Sequence, residues 1–141
     1  MSKIHDDLLS DLHKDQLISE ANRAMANAYS PYSQFKVGAA VLTASGNIYS
    51  GCNAENASYG LTMCAERVAV FSAIAHEGPH VRLKAVLIAS DPKATTPPCG
   101  ACRQVLSEFG DDSLSVYFPK AGVLTQTSLS CLLPEKFVLL S

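Results

Sequence analysis

Apolar residues follow a helical spacing near the start of the chain. Over the range 14–28 they recur every three or four residues, at Leu17, Ala21, Ala24, Met25 and Ala28. This spacing places them on one face of a helix, and Pro31 disfavours helical backbone at the residue before it. We therefore predict a first helix from about Lys14 to Ala28. A flexible tail is predicted over residues 1–12, and a single domain over residues 13–141.

The rest of the chain alternates between strand-like and helix-like runs. Two apolar runs on either side of residues 44–46 predict an antiparallel hairpin. A later segment is apolar on most sides, which is typical of a buried helix. The predicted elements are strands at 35–43 and 47–53, a loop at 54–61, a helix from Cys64 to about His76, a strand at 82–90, a Pro-rich loop at 91–98, a helix from Cys99 to about Phe109, and a strand at 114–118.

This order of elements predicts the fold class. A helix, two antiparallel strands, and then alternating helices and strands are typical of an α/β domain. We expect three layers, α-β-α, in which a mixed β-sheet carries helices on both faces. The segment 129–141 is also apolar, and we expect it to pack against the domain.

Composition narrows the classes of function. The chain has 141 residues, of which 48% are apolar and 17% charged, as in a compact globular domain. Its net charge of −2 provides no electrostatic basis for binding nucleic acid or a membrane surface. The polar N-terminus lacks the apolar core of a signal peptide. An odd number of cysteines, five, then fits a reducing cytoplasm where thiols bind metal or stay buried.

Three of the cysteines form a candidate metal site. Cys64 and Cys99 fall where predicted helices begin, and Cys102 lies one turn further along the second helix. Three thiolates suit Zn²⁺ and leave its fourth position open for water, as in catalytic zinc sites. No histidine has the spacing of a fourth ligand; the four are His5, His13, His76 and His80. We expect Cys52 and Cys131 to be buried free thiols.

Glu66 is the candidate catalytic residue. It lies two residues after Cys64, so its side chain can reach a water molecule on the metal. Zinc lowers the pKa of such a water toward ~7, and a nearby carboxylate can accept and relay the proton.

These motifs resemble a known enzyme family. The segments CAE at 64–66 and PCGAC at 98–102 are similar to the signature of the zinc-dependent nucleoside and nucleobase deaminases, with Cys64 where the common signature has histidine. Further blocks, SPYS at 30–33, NAENA at 53–57 and RQV at 103–105, resemble the small homotetrameric branch of the cytidine deaminases. The resemblance covers about residues 29–109, with Phe137 matching an aromatic near the C-terminus.

The resemblance implies a reaction and a fold. The fold would be cytidine deaminase-like. The reaction would be hydrolysis of cytidine and deoxycytidine to uridine and deoxyuridine with release of ammonia, a step of pyrimidine salvage. One Zn²⁺ per chain would activate the attacking water, and Glu66 would carry protons to N3 and to the departing amine. The partner would be a small nucleoside, with no nucleic acid or membrane, in a cytoplasmic homotetramer.

The resemblance also implies roles for residues outside the metal site. Asn53 and Glu55 would hydrogen-bond the ribose hydroxyls, and Phe35 would pack against the pyrimidine ring. The backbone of Ala65 would read the edge of that ring together with Glu66. Arg67 would hydrogen-bond the ligand sulfurs and withdraw negative charge from the zinc. Two aromatic residues would help to close sites at subunit boundaries, namely Tyr59 and Phe137.

Three other functions remain open at this level. A deaminase of RNA or DNA needs a basic groove, whereas this chain is slightly acidic and Glu55 would repel a 3′-phosphate. Asn53 and Glu55, which would hydrogen-bond the ribose, disfavour a deaminase of a free base or of a nucleoside-like antibiotic. A zinc-stabilised binding module without catalysis would have no use for Glu66 beside a three-ligand site.

Overall fold

A computed structural model describes residues 9–140 of the chain. Residues 9–140 form three longer helices, and Ser10 caps the first of them by accepting a hydrogen bond from the His13 amide at 3.1 Å. A 3₁₀ turn spans Tyr59–Leu61. The α-helices are α1 (Asp11–Met25), α2 (Ala65–Glu77), α3 (Gly100–Phe109) and the short α4 (Leu129–Leu132).

Five strands form one mixed sheet in the order β2-β1-β3-β4-β5. Neighbouring strands are antiparallel except β3 and β4, which are parallel and joined by the crossover through α3. This confirms the predicted mixed sheet. The strands are β1 (Gly38–Thr43), β2 (Ile48–Cys52), β3 (Leu83–Ala89), β4 (Ser115–Lys120) and β5 (Val123–Ser128).

The sheet is covered by helices on both faces, as the sequence predicts. Along β1, Ala39 and Val41 face the α2 and α3 side, whereas Ala40 and Leu42 face α1. Successive strand residues point to opposite faces, so a strand covered on both sides must be apolar at every position. This explains why β1 is buried along its whole length.

Close packing of α2 on the sheet depends on Gly51. A Cβ at this position would lie 2.6 Å from the Ala69 amide nitrogen, a distance that real Cβ atoms do not adopt. The far end of α2 is held separately, because the Glu77 carboxylate accepts hydrogen bonds from Thr43 Oγ1 at 2.8 Å and Ser45 Oγ at 2.9 Å. The N-terminal half and the C-terminal end of α2 are therefore both fixed to the first hairpin, and α2 is the helix that follows Cys64.

Several boundaries differ from the prediction. Helix α1 includes Asp11 and Leu12, which the prediction places in the flexible tail; residues 1–8 of that tail lie outside the described residues. The helix also ends earlier than expected, at Met25, and β1 begins later, at Gly38. Strand β5 was not predicted at all.

The prediction that the C-terminal segment packs is correct only for its first part. Leu129 is fully buried, and Leu132 and Leu133 pack against the core. Beyond them the apolar side chains are exposed in the single chain, including Phe137, Val138, Leu139 and Leu140. None of the helices formed by residues 9–140 combines the length and the apolar character that crossing a membrane requires.

Candidate metal centre and active site

The three predicted ligands meet at two helix N-termini. Cys64 is the N-cap of α2 and Cys99 is the N-cap of α3, while Cys102 lies buried in the first turn of α3. Their sulfur atoms all lie within 4.8 Å of one another, and the Cys64 and Cys99 sulfurs are 3.9 Å apart. Two helix N-termini therefore bring together thiols that are separated by 35 residues of sequence.

The geometry of this cluster fits zinc. Tetrahedral Zn²⁺ with Zn–S bonds of about 2.3 Å requires sulfur atoms about 3.8 Å apart, close to the observed Cys64–Cys99 separation. Within residues 9–140, no histidine, aspartate or glutamate joins the three cysteines as a further ligand. Three cysteine ligands would leave a tetrahedral ion with one open position, the arrangement typical of catalytic zinc.

Glu66 lies in the first turn of α2, beside the cluster. Its side chain is only 6% exposed. Burial is the main cause that raises the pKa of Glu66, and the negative charge of Cys64 raises it further. A carboxyl group in this environment exchanges protons closer to neutral pH than a solvated glutamate does, which suits it to general acid–base chemistry.

Arg67 supplies positive charge to the sulfurs. Its Nη2 atom donates a hydrogen bond to Cys64 Sγ at 3.2 Å, as the resemblance implies. Hydrogen bonds from Cys102 and from Arg67 lower the pKa of Cys64, so its thiolate form is favoured. The helix N-termini add about half a positive charge each. Together these groups offset the excess negative charge that three thiolates would carry around a divalent ion.

The Asn53 side chain forms hydrogen bonds with the backbone of the segment 35–37. Its Oδ1 accepts a hydrogen bond from the Val37 amide and its Nδ2 donates one to the Phe35 carbonyl, both at 2.9 Å. Asn53 is 9% exposed, so these bonds are largely shielded from water. The amide thus fixes the segment that carries Phe35, one third of whose surface is exposed. One hydrogen on Nδ2 and one lone pair on Oδ1 remain for a ligand.

Glu55 is similarly bound to the segment before Phe35. Its Oε1 accepts from the Tyr32 amide at 2.9 Å and the Ser33 amide at 3.0 Å, and the Ser33 hydroxyl donates to Oε2. The Ser33 side chain is the main cause that lowers the pKa of Glu55. This carboxylate is therefore held ionised and oriented, able to accept a further hydrogen bond but unable to donate one.

Asn53 and Glu55 are also connected to the metal site through the backbone. The intervening Ala54 exchanges hydrogen bonds with Met63, of 3.0 and 2.9 Å, and Met63 directly precedes Cys64. On the other side, Tyr29 donates to the Asn53 carbonyl at 3.1 Å and accepts from the Glu55 amide at 2.9 Å. The segment 53–55 therefore acts as a short strand between the two parts of the site.

The two aromatic residues assigned to subunit boundaries lie apart. Tyr59 is 76% exposed and contacts Tyr32 edge-on, with ring centroids 6.0 Å apart, beside a pocket of about 280 Å³ that Ser33 and Glu55 also line. Phe137 is 69% exposed and lies beside a cavity of about 480 Å³ against α3. None of the three cysteines lines that cavity, so the single chain does not bring Phe137 to the metal site.

Two side chains of the site were not singled out from the sequence. Ser33 holds Glu55, as described above. Arg103 donates from Nε to the Pro98 carbonyl at 2.7 Å, directly before Cys99. Its position immediately after Cys102 was the available signal. The expectation that Cys131 is buried is wrong, because this residue of α4 is exposed; Cys52 is half-buried.

The fold and the cluster define a class of protein, an α-β-α domain with a three-thiolate metal site between two helix N-termini. Residues 12–118 match the family model described as the cytidine and deoxycytidylate deaminase zinc-binding region. A curated cytidine deaminase from Sporosarcina psychrophila is 44% identical over 124 residues, which cover 87% of this chain and 90% of the relative.

Solved structures agree with this match. Cytidine deaminase from Mycobacterium tuberculosis is 40% identical with a TM-score of 0.80, covering 93% of this chain and 100% of that one. The enzyme from Burkholderia pseudomallei is 42% identical with a TM-score of 0.79, covering 92% and 100%. The chain therefore belongs to the cytidine and deoxycytidylate deaminase family. Its three clustered cysteines lie in the zinc-binding region of that family.

Proposed function

We propose that this chain is a zinc-dependent cytidine deaminase, which hydrolyses cytidine and deoxycytidine to uridine and deoxyuridine with release of ammonia. The observation that carries the proposal is the buried carboxyl of Glu66 beside a cluster of three cysteines that no further histidine, aspartate or glutamate of residues 9–140 joins. A purely structural zinc site would use a fourth protein ligand and would not need this carboxyl group. The similarity to named cytidine deaminases supports the same substrate.

The residues of the chain divide the chemistry between them. Cys64, Cys99 and Cys102 would hold Zn²⁺, which would supply the Lewis acid needed to activate the attacking water. Glu66 takes a proton from that water, delivers it to N3 of the base and later assists the departing amine. The amide of Ala65, as the first residue of α2, has no acceptor within the helix and can donate to the base. Arg67 partly neutralises the negative charge of the thiolates.

The sugar is the means of holding the base in place. Glu55 is ionised and can accept a hydrogen bond from a 3′-hydroxyl, which ribose and deoxyribose both carry. Phe35, fixed by Asn53, packs against the pyrimidine ring. Binding energy from the sugar thereby orients a small flat base for reaction. A 3′-phosphate would meet Glu55 as a like charge, which argues against nucleic-acid substrates.

We further propose a cytoplasmic homotetramer that serves pyrimidine salvage. The tetramer is supported by the family resemblance and by the exposure of Tyr59 and Phe137, which would help to enclose sites between subunits. An active, stable monomer in light scattering would overturn it.

Ultraviolet absorbance tests the proposed reaction directly. Purified protein is incubated with cytidine, deoxycytidine, cytosine and a short C-containing oligonucleotide. We expect both nucleosides to react, cytosine to react poorly and the oligonucleotide not to react. Glu66→Gln should retain zinc by metal analysis but lose turnover by about 10²–10⁴-fold or more. Cytosine reacting as well as cytidine would indicate a base deaminase, and near-normal turnover of the variant would exclude the role of Glu66.

A further inference from the structure

Arg103 occupies a position between the metal site and the C-terminal segment. Its Nε donates to the Pro98 carbonyl at 2.7 Å, and its Nη1 donates to the Leu132 carbonyl at 2.9 Å. The guanidinium is half-buried, and Pro98 is fully buried. Charge-assisted hydrogen bonds of this length are about twice as strong as neutral ones.

The first of these bonds acts on a metal ligand. The Pro98 carbonyl belongs to the peptide group that joins Pro98 to Cys99, so fixing this carbonyl fixes the plane in which the Cys99 nitrogen lies. That plane sets the direction of the Cys99 side chain, since Cys99 is an N-cap with φ −67° and ψ 171°. Cys99 is also the exposed member of the cluster. Its sulfur therefore depends on the backbone for its position more than that of the buried Cys102 does.

The second bond acts on the end of α4. The last carbonyls of a helix have no partner within the helix, and α4 consists of only four residues. Arg103 provides a donor for Leu132, the last of these residues. The chain then continues through residues 134–140, which carry Phe137.

We propose that Arg103 is a positioning residue for the zinc site, which fixes the Pro98–Cys99 peptide and ties it to the end of α4. The inference rests on the proposed function, because it assigns Arg103 to the zinc site of that function. Retention of zinc then depends on a guanidinium that binds no metal and contacts no substrate. The same side chain links ligand geometry to the start of the C-terminal segment.

The test compares Arg103→Gln and Arg103→Lys with the wild-type holoenzyme. Zinc affinity is measured by competition with a chromogenic chelator, and the thiolate-to-metal absorption is recorded after cobalt substitution. We expect zinc affinity to fall about 10–100-fold in Arg103→Gln, the usual effect of losing a partner that orients a ligand. The zinc affinity of Arg103→Lys should lie between those of the wild type and Arg103→Gln, because one ammonium group cannot reproduce the planar guanidinium that reaches both carbonyls.

Arg82→Gln is the matched control. The Arg82 guanidinium also donates to a backbone carbonyl of α3, that of Glu108 at 3.2 Å, but at the end of the helix away from the cysteines. We expect it to hold zinc as the wild type does. A purely structural role for Arg103 would lower stability without changing the cobalt spectrum of the folded protein.

Three outcomes would overturn the inference: wild-type zinc affinity in Arg103→Gln, an unchanged cobalt spectrum in that variant, or equal loss of zinc in Arg82→Gln. If Arg103→Gln does not fold, Arg103→Lys decides, and wild-type zinc affinity in that variant would overturn the inference. The proposed function is tested separately by turnover of cytidine in the wild type. A zinc-loaded wild type that leaves cytidine unchanged would refute the function without altering the zinc measurements.

Discussion

Replacing Asn53 with alanine tests its structural contribution when unfolding is measured without substrate. The substitution removes two hydrogen bonds that hold the segment 35–37 and leaves the Val37 amide and the Phe35 carbonyl without these partners. An unsatisfied buried polar group costs about 1–3 kcal/mol, so two cost roughly 2–6 kcal/mol. Because Asn53 is 9% exposed and water can reach part of the gap, we expect a loss of about 2–4 kcal/mol.

The assay is unfolding without substrate. For a domain of this size, the expected loss lowers the melting temperature by on the order of 10 °C. All variants are compared at one protein concentration, since assembly would couple the melting temperature to concentration. Asn56→Ala is the control, because Asn56 is exposed and its side chain bonds only the nearby Ser58 amide. Such surface changes usually stay within about 0.5 kcal/mol.

One result would refute this reasoning. If Asn53→Ala were as stable as Asn56→Ala while cytidine turnover was lost, Asn53 would act only as a substrate contact. We expect instead that stability and the KM for cytidine change together, because the segment released by the substitution carries Phe35. Loss of activity alone would then say little about a bond between Asn53 and the sugar.

Three further predictions concern the framework and the metal. Gly51→Ala should destabilise the protein by about 1–3 kcal/mol or more in denaturant titration, because the added Cβ would meet the backbone of α2. Gly60→Ala is the control, since a Cβ there meets nothing within 4 Å and should leave the stability unchanged. Equal stability of the two variants would contradict the packing of α2 on Gly51. Burial raises the pKa of the Glu77 carboxyl, but hydrogen bonds lower it by more, so the pKa is lowered overall. The ionised carboxylate therefore stabilises the fold at neutral pH, and this stabilisation is lost as pH falls through the lowered pKa. The difference in melting temperature between Glu77→Gln and wild type should shrink toward acid pH, and a constant difference would argue against it. Cys99→Ala should reduce bound zinc well below one per chain in metal analysis, and full occupancy would exclude Cys99 as a ligand.

The central elements were predictable because their sequence patterns coincide with their packing. Strand β1 is buried at every position and strand β3 at every position except the exposed Lys84, so their largely apolar runs predict strands covered on both faces. The starts of α2 and α3 were equally clear, since the sequence predicts them at Cys64 and Cys99 and the structure makes each of these residues an N-cap.

Strand β5 was missed for a physical reason. It is an edge strand, and most of its residues are exposed or half-exposed, so no apolar face alternates along it. The turn between β4 and β5 also lacks a clear sequence signal. Residues Ala121 and Gly122 form a two-residue hairpin loop in which both have positive φ, 49° and 91°. Such turns favour asparagine at the first position, and alanine there conceals the signal.

The surroundings of the site were harder to predict than its ligands. The pattern around Asn53 and Glu55 suggested contacts with a ligand, and their bonds to the segment 32–37 depend on a three-dimensional approach that no local spacing encodes. The exposure of Phe137 was equally hard to predict, because the sequence pattern of an apolar residue near the C-terminus fits a core position and a surface position equally well.

The convergence of the cysteines from two separate helices makes the metal site depend on the assembled sheet. Cys99 and Cys102 are neighbours in sequence, but Cys64 lies beside them only where α2 is docked on β1 and β2 and the crossover through α3 is formed. Closing a loop of 35 residues costs entropy that only these contacts can offset. The complete three-sulfur centre therefore requires the assembled sheet, and an ion bound there would stabilise the topology that the apolar core selects. A chain that carries its full zinc is, by the same reasoning, a chain whose sheet is assembled.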